Sequence, residues 1–237
     1  MDTTSGSLIL IGGHEDREGE RTILRAVAVR VDSRPLLLLS AASKVPEEYL
    51  DIYRDAFSDL GVQIVALDQN DPDAAQKVQG ASGVFISGGD QNRFMESVPA
   101  ELRQSIRDLW LSGGVIAGTS AGASVMSSVM LARGPAEETP DPDDVDLGEG
   151  LGLLGGAVVD QHFSERGRIG RLVAAVTQRR ELLGIGIDED TALIVERDRM
   201  LVLGAGSVYL LDVAAHEADP VEFRLRVLAS GDAARHG

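Results

Sequence analysis

The chain is built on short, almost wholly apolar runs, each ended by glycine or a small polar residue and separated from the next by a stretch of helical periodicity. Runs this short cannot span a membrane, and having no polar face they cannot form an exposed strand. They suit strands covered on both sides, and helical crossovers between them imply a mostly parallel sheet. Residues 7–11, 35–40, 62–67, 83–86, 115–117, 157–160, 184–188 and 191–196 read as strands of this kind. Helices are expected at 20–31, 46–60, 72–78, 91–98, 101–112 and 169–180, with an Ala/Ser-rich helix after Ser120. The segment 46–60 is the clearest: Tyr49, Ile52, Tyr53, Ala56, Phe57 and Leu60 recur at spacings of three and four, and Gly61 stops it. Residues 200–203 and 207–211 read as a C-terminal β-hairpin across Gly204-Ala205-Gly206, and the last eight residues as frayed. The expectation is an α/β fold, flavodoxin-like or doubly wound, with a mostly parallel sheet and flanking helices. Residues 1–237 are expected to form a single domain. The stretch 133–150, with three Pro and seven acids, is expected to be a surface loop within it.

A chain of 237 residues is long enough to bury a core without covalent staples. It has no Cys, which excludes a disulfide framework, thiolate metal sites and a thiol nucleophile. A formal net charge of −16 argues against a nucleic-acid or anionic-membrane partner, since such a surface releases no counterions on meeting a polyanion. No basic leader opens the sequence, so a cytoplasmic protein is expected. Lys44 and Lys77 are the only lysines, leaving arginine as nearly the whole cationic repertoire, and arginine is the better bidentate clamp for carboxylates.

Four segments carry chemistry. Gly118-Thr119-Ser120-Ala121-Gly122, between an apolar strand and a small-residue helix, has the pattern of a nucleophile elbow, where small neighbours permit a sharp turn that presents the serine hydroxyl. Ser87-Gly88-Gly89-Asp90-Gln91 ends another strand, and its consecutive glycines expose backbone N–H groups of the kind an oxyanion hole needs. In Asp160-Gln161-His162-Phe163-Ser164, His162 is the one histidine of four that directly follows an apolar strand, making it the best-placed base for Ser120. Arg166, Arg168 and Arg171 follow it at the start of a helix, where the dipole disfavours cations, so another reason for them is expected. Asp188-Glu189-Asp190 follows a strand as well, and one of its carboxylates is a candidate to orient His162, with Asp160, Glu137 and Glu138 as the others. The scattered histidines and acids show no metal-ligand spacing, so no metal or other cofactor is expected.

Together with Ile11-Gly12-Gly13, these landmarks in this order resemble the cyanophycinase family of serine peptidases, which is related to the aspartyl dipeptidases and to the class I glutamine-amidotransferase-like superfamily. The resemblance covers nearly the whole chain. It implies a triad of Ser120 as nucleophile, His162 as base and then acid, and Glu189 as orienter, with an oxyanion hole from the Gly89 and Ala121 N–H groups. It also implies a substrate pocket from Asp90, Gln91, Asp160, Gln161, Arg166, Arg168 and Arg171. The implied substrate is cyanophycin, a polyaspartate with arginine on each β-carboxyl, cut to β-Asp-Arg dipeptides by a homodimer. Acids such as Asp90 or Asp160 are candidates to meet the substrate guanidinium. An α-aspartyl or isoaspartyl dipeptidase and a non-catalytic binding protein of the amidotransferase-like fold are the alternatives. His14 and the loop 133–150 depart from the family pattern.

Overall fold

The computed structural model describes residues 5–135, 142–215 and 220–235. The expected parallel strands are β1 (Leu8–Ile11), β2 (Leu36–Leu39), β3 (Ile64–Leu67), β4 (Gly83–Ile86) and β5 (Val115–Thr119), in the spatial order β1-β5-β4-β2-β3. Side chains alternate between two cores, as the period of a strand requires. Leu8 and Leu10 of β1, Leu37 and Leu39 of β2, and Val84 and Ile86 of β4 enter one, while Ile9, Ile11, Leu36, Leu38 and Phe85 enter the other. Because both faces are covered along β1, β2 and β4, those runs carry no polar residue. Against the second core pack α1 (Thr22–Ala28) and α2 (Pro46–Phe57), the latter through Tyr53, Ala56 and Phe57. Against the first lie α3 (Ala74–Gln79), α4 (Gln91–Ser97) and α5 (Ala100–Leu111), giving the doubly wound arrangement.

A second sheet shares the first core. The chain leaves β5 through α6 (Ala121–Ser124), one helical turn where a longer helix was expected, and passes directly into β6 (Ser127–Arg133). There follow β7 (Asp146–Glu149), β8 (Leu154–Gln161), α7 (Ile169–Gln178) and β9 (Leu183–Ile187), with β8 parallel to both β6 and β9. Ala157, Val159, Ile185 and Ile187 face the first sheet, and Val158 packs outward with Leu172 and Val176 of α7. The stretch 133–150 is therefore not all loop: Pro142–Asp144 is a 3-10 turn and β7 pairs with β6, while residues 136–141 lie outside the described residues.

The C-terminal hairpin differs from the expected one. β10 (Thr191–Glu196) joins β1 antiparallel and pairs along its whole length with β11 (Arg199–Gly204). β12 (Ser207–Val213) instead pairs with β9 and with β13 (Phe223–Ala229) in the second sheet. Gly204-Ala205-Gly206 is thus a crossing between sheets, and the hairpin partners are β10 with β11 and β12 with β13. The terminal residues are not frayed throughout, because β14 (Ala233–Arg235) pairs with β11. No helix among the described residues is long and apolar enough to cross a membrane.

Phe85 ties α2 to the sheet: it is 1% exposed, and its ring centroid lies 4.5 Å from that of Tyr53 and 6.3 Å from that of Phe57. Phe85→Ala should lower the unfolding free energy by about 3–5 kcal/mol, measured by chemical denaturation.

Candidate active site

Past the end of β1, three successive carbonyls hold three distant segments. Those of Ile11, Gly12 and Gly13 accept hydrogen bonds from the backbone N–H groups of Ser120 at 2.9 Å, His162 at 2.8 Å and Asp190 at 2.8 Å. The turns after β5, β8 and β9 are thereby drawn to one point, where both sheets meet. Gly13 must be glycine there, since its φ is +104° and a Cβ would fall 2.3 Å from Cε1 of the His162 ring.

Ser120 stands between β5 and α6 with φ 55° and ψ −117°, a conformation that L residues avoid. The small neighbours permit it: a Cβ on Gly122 would lie 2.3 Å from the Ile86 carbonyl oxygen. The backbone N–H groups of Ala121 and Gly89, the pair expected to face an oxyanion, donate to no backbone acceptor among the described residues, and Gly89 lines the cleft with Ser120. His162, also left-handed at φ 47°, places Nε2 3.0 Å from Ser120 Oγ and Nδ1 2.6 Å from Glu189 Oε1. With the proton on Nδ1, Nε2 accepts from the serine hydroxyl and the carboxylate holds the ring, an arrangement competent for nucleophilic acyl transfer.

The acidic trio divides its work. Glu189 faces His162, while Asp188 is 5% exposed and accepts from the N–H groups of Ser164 and Ser207, each at 3.0 Å. Asp190, with φ 46°, donates its N–H to Gly13 and accepts from Asp16 N–H at 2.8 Å. Of the other candidate orienters, Asp160 points elsewhere, and Glu137 and Glu138 lie outside the described residues.

Asp160 accounts for the arginines at the start of α7. It is 1% exposed and accepts from Arg171 Nε at 2.6 Å, from Arg171 Nη2, and from Arg168 Nη1 at 3.3 Å. Its charge offsets the helix dipole that would otherwise repel them. This corrects the reading of Asp160 as a partner for a substrate guanidinium, because it is sealed beneath its own two. Burial pushes the Arg168 guanidinium down to about 10, still protonated at neutral pH, and Arg168 also donates to the Gln161 carbonyl. Asp90 is an end cap, accepting from the N–H groups of Asn92 and Arg93 at the start of α4, and lies outside the cleft lining. Gln91, Gln161, Arg166, Arg168 and Arg171 line a cleft of about 370 Å³ with Ser120 and His162. Gln161 Oε1 is 3.3 Å from Ser120 Oγ, and Gln91 donates to the Leu131 carbonyl at 2.9 Å.

Several lining residues had not been given a place at the site from the sequence: Glu15, Arg17, Tyr49 and Tyr53. Glu15 is 3% exposed and accepts from Tyr53 Oη and, at 2.6 Å, from Thr119 Oγ1, which steadies the residue before the nucleophile. Burial, with the Glu15 charge alongside, pushes the Tyr53 hydroxyl well above its ordinary range, so it remains a donor. His14 lies against the outer oxygen of Glu189, Nδ1 to Oε2 3.0 Å. Among the described residues the fold collects one group capable of ligating a metal, His14, His162 and Glu189, although no spacing in the sequence announced it.

Residues 8–203 match the family described as Peptidase family S51. The chain belongs to that family. Among S51 relatives, a cyanophycinase of Nostoc sp. is 38% identical over 256 residues, covering 97% of this chain and 85% of that one. Cyanophycinases of Geminocystis herdmanii and Synechococcus elongatus are 35% and 36% identical, covering 95% and 87% of this chain and 92% and 68% of theirs. In fold, this S51 peptidase resembles a peptidase from an acI-B1 actinobacterium, with a TM-score of 0.76 at 23% identity over 99% of this chain and 98% of that one.

Burial lowers the affinity of the His162 ring for a proton, and Arg166 and His14 act the same way, while the Glu189 hydrogen bond partly restores it; the net shift is downward. Burial opposes the charge on Glu189 too, but the His162 hydrogen bond and the nearby cationic groups outweigh it and hold the carboxyl below its usual range. The imidazole therefore stays neutral to lower pH than a free one, about 6.5. NMR titration of the ring should give a midpoint below that value, moving further down in Glu189→Gln, which removes the group that favours the imidazolium.

Proposed function

We propose that this S51 peptidase is a serine-type exopeptidase that hydrolyses cyanophycin to β-Asp-Arg dipeptides. The observation that carries the reading is the relay Ser120 Oγ, His162 and Glu189, with separations of 3.0 and 2.6 Å, opening on a cleft rich in arginine. The names of the relatives supply the substrate. Ser120 Oγ attacks the main-chain carbonyl carbon as its proton passes to His162 Nε2. The oxyanion takes hydrogen bonds from Gly89 and Ala121 N–H. His162 returns the proton to the leaving amine, and water, deprotonated by the same ring, releases the acyl group and regenerates Ser120. Glu189 remains ionised throughout and stabilises the imidazolium.

With an arginine amide-linked to each aspartate β-carboxyl, every unit of such a polymer keeps a free arginine α-carboxylate, which a protein arginine can clamp. Arg168 and Arg171 share the charge of Asp160, so the trio brings one net positive charge to the cleft floor. Arg166 adds an exposed guanidinium, and Arg17 a half-buried one. A single functional domain over residues 1–237, a cytoplasmic location and a homodimer accompany this reading on the strength of the family resemblance, and the relay calls for no cofactor.

Incubating the protein with cyanophycin, and separately with α-Asp-Arg, while following products by mass tests the assignment: β-Asp-Arg from the polymer is expected, and cleavage of α-Asp-Arg alone would move it to the dipeptidases. Ser120→Ala should fold normally, since a small residue suits the elbow, and lose about 10,000-fold or more in kcat. Arg168 also serves the fold, so Arg166 is the cleaner probe of binding. Arg166→Ala should raise KM by about tenfold or more, the worth of one charge-assisted hydrogen bond, with kcat changed only a few-fold.

A further inference from the structure

His14 is placed in an unusual way for an exposed loop residue. Its side chain is 68% exposed and its backbone is left-handed at φ 50°, yet Nδ1 is held 3.0 Å from Glu189 Oε2. Its ring stands edge-on to that of His162, centroids 5.2 Å apart and planes at 84°. Glu189 is thus approached by an imidazole nitrogen at each oxygen, Nδ1 of His162 at 2.6 Å and Nδ1 of His14 at 3.0 Å. One ligating atom from each of the three residues falls within 4.8 Å of the others. Donor atoms around a tetrahedral zinc ion, with bonds of about 2.0–2.1 Å, stand about 3.4 Å apart, so small side-chain rotations suffice.

We propose that His14, His162 and Glu189 form an inhibitory site for a divalent transition metal of the zinc type, bound through Nδ1 of both imidazoles and one Glu189 oxygen. Two imidazoles and a carboxylate are a donor set for zinc or cobalt and a poor one for calcium or magnesium, which take oxygen ligands. The exposure of His14 leaves the fourth position to water. Arg17 and Arg166 line the same cleft and oppose a dication, so binding is weaker than at a closed four-donor site.

Inhibition follows from where the proton goes. In the working relay the single N–H of neutral His162 is on Nδ1 and the Nε2 lone pair faces Ser120. A metal at Nδ1 displaces the proton there and binds the lone pair it leaves, while Nε2 takes up a proton from solvent, so the ring stays neutral. Nε2 then points an N–H at Ser120 Oγ and has no lone pair to receive its proton, while Glu189 is drawn onto the metal. The catalytic base is lost with every residue still in place.

This inference rests on the triad reading above, and the experiment separates the two. Full-length protein stripped with a chelator is titrated calorimetrically with zinc chloride, and in parallel with calcium and magnesium chloride. Reactivity of Ser120 is followed with a fluorophosphonate, which needs the relay but not the peptide substrate. The expected result is one zinc per chain, zinc-dependent loss of labelling reversed by chelator, and no effect of the other two ions. His14→Asn tolerates the left-handed backbone and removes the third donor, so its zinc affinity and half-inhibiting concentration should each worsen about tenfold or more relative to its own metal-free state. Circular dichroism confirms that the variant is folded. Absence of one-to-one zinc binding, equal affinity in His14→Asn, or binding that leaves labelling unchanged would overturn the proposal. Inactivity on cyanophycin with Ser120 still labelled would instead count against the substrate assignment alone.

Discussion

The arrangement of the cleft depends on three consecutive peptide carbonyls. Those of Ile11, Gly12 and Gly13 each accept one N–H, and the donors are Ser120, His162 and Asp190, from turns far apart in sequence. A buried backbone group left unpaired costs about 1–3 kcal/mol, so each turn is fixed in place by the same requirement that satisfies β1. The side chains of the relay then need only ordinary rotamers to meet. The two glycines belong to this device: the donors come so close that a Cβ on Gly12 would lie 2.0 Å from the Asp188 carbonyl oxygen.

Around this point the two sheets divide the labour. The parallel sheet carries Ser120, at the edge where its strands end and where open α/β sheets bind their ligands. The smaller sheet carries His162 past the end of β8 and, through the crossing at residues 204–206, closes on the same core. The arginines are managed locally: Asp160 offsets part of the excess at the start of α7, and a chain of net charge −16 still presents positive charge in the cleft beside Ser120.

Most of the larger sheet was legible because its strands are buried on both faces, and their composition alone distinguishes them from helices. β6, β7 and β13 were not, because they are partly or largely exposed and carry polar residues such as Asp146, Arg224 and Arg226. The expected hairpin was mispaired since a glycine-rich link looks the same whether the chain folds back or passes to another sheet. Ser120 and His162 could be named because each follows an apolar strand, whereas Glu189 was one of several candidate carboxylates until the family resemblance singled it out. The roles of Glu15 and His14 could not, since both sit in a segment rich in charge, and only the fold shows that one is buried under Thr119 and the other rests on Glu189. Asp160 was misassigned for the converse reason: sequence places it beside the base but does not say which way it faces.

Six non-glycine residues among those described have positive φ; three of them, His14, Ser120 and His162, line this one cleft, and a fourth, Asp190, is bonded to the Gly13 carbonyl beside it. Each such conformation costs about 1–2 kcal/mol, a cost borne by the packed sheets on either side. The site is therefore a loaded part of the molecule, held in shape by the surplus of the remainder. As the stability of the whole declines, through heat or accumulated substitution, the cleft has the most to gain by relaxing. A relaxation of these few backbone angles would separate Ser120 from His162 without unfolding either sheet.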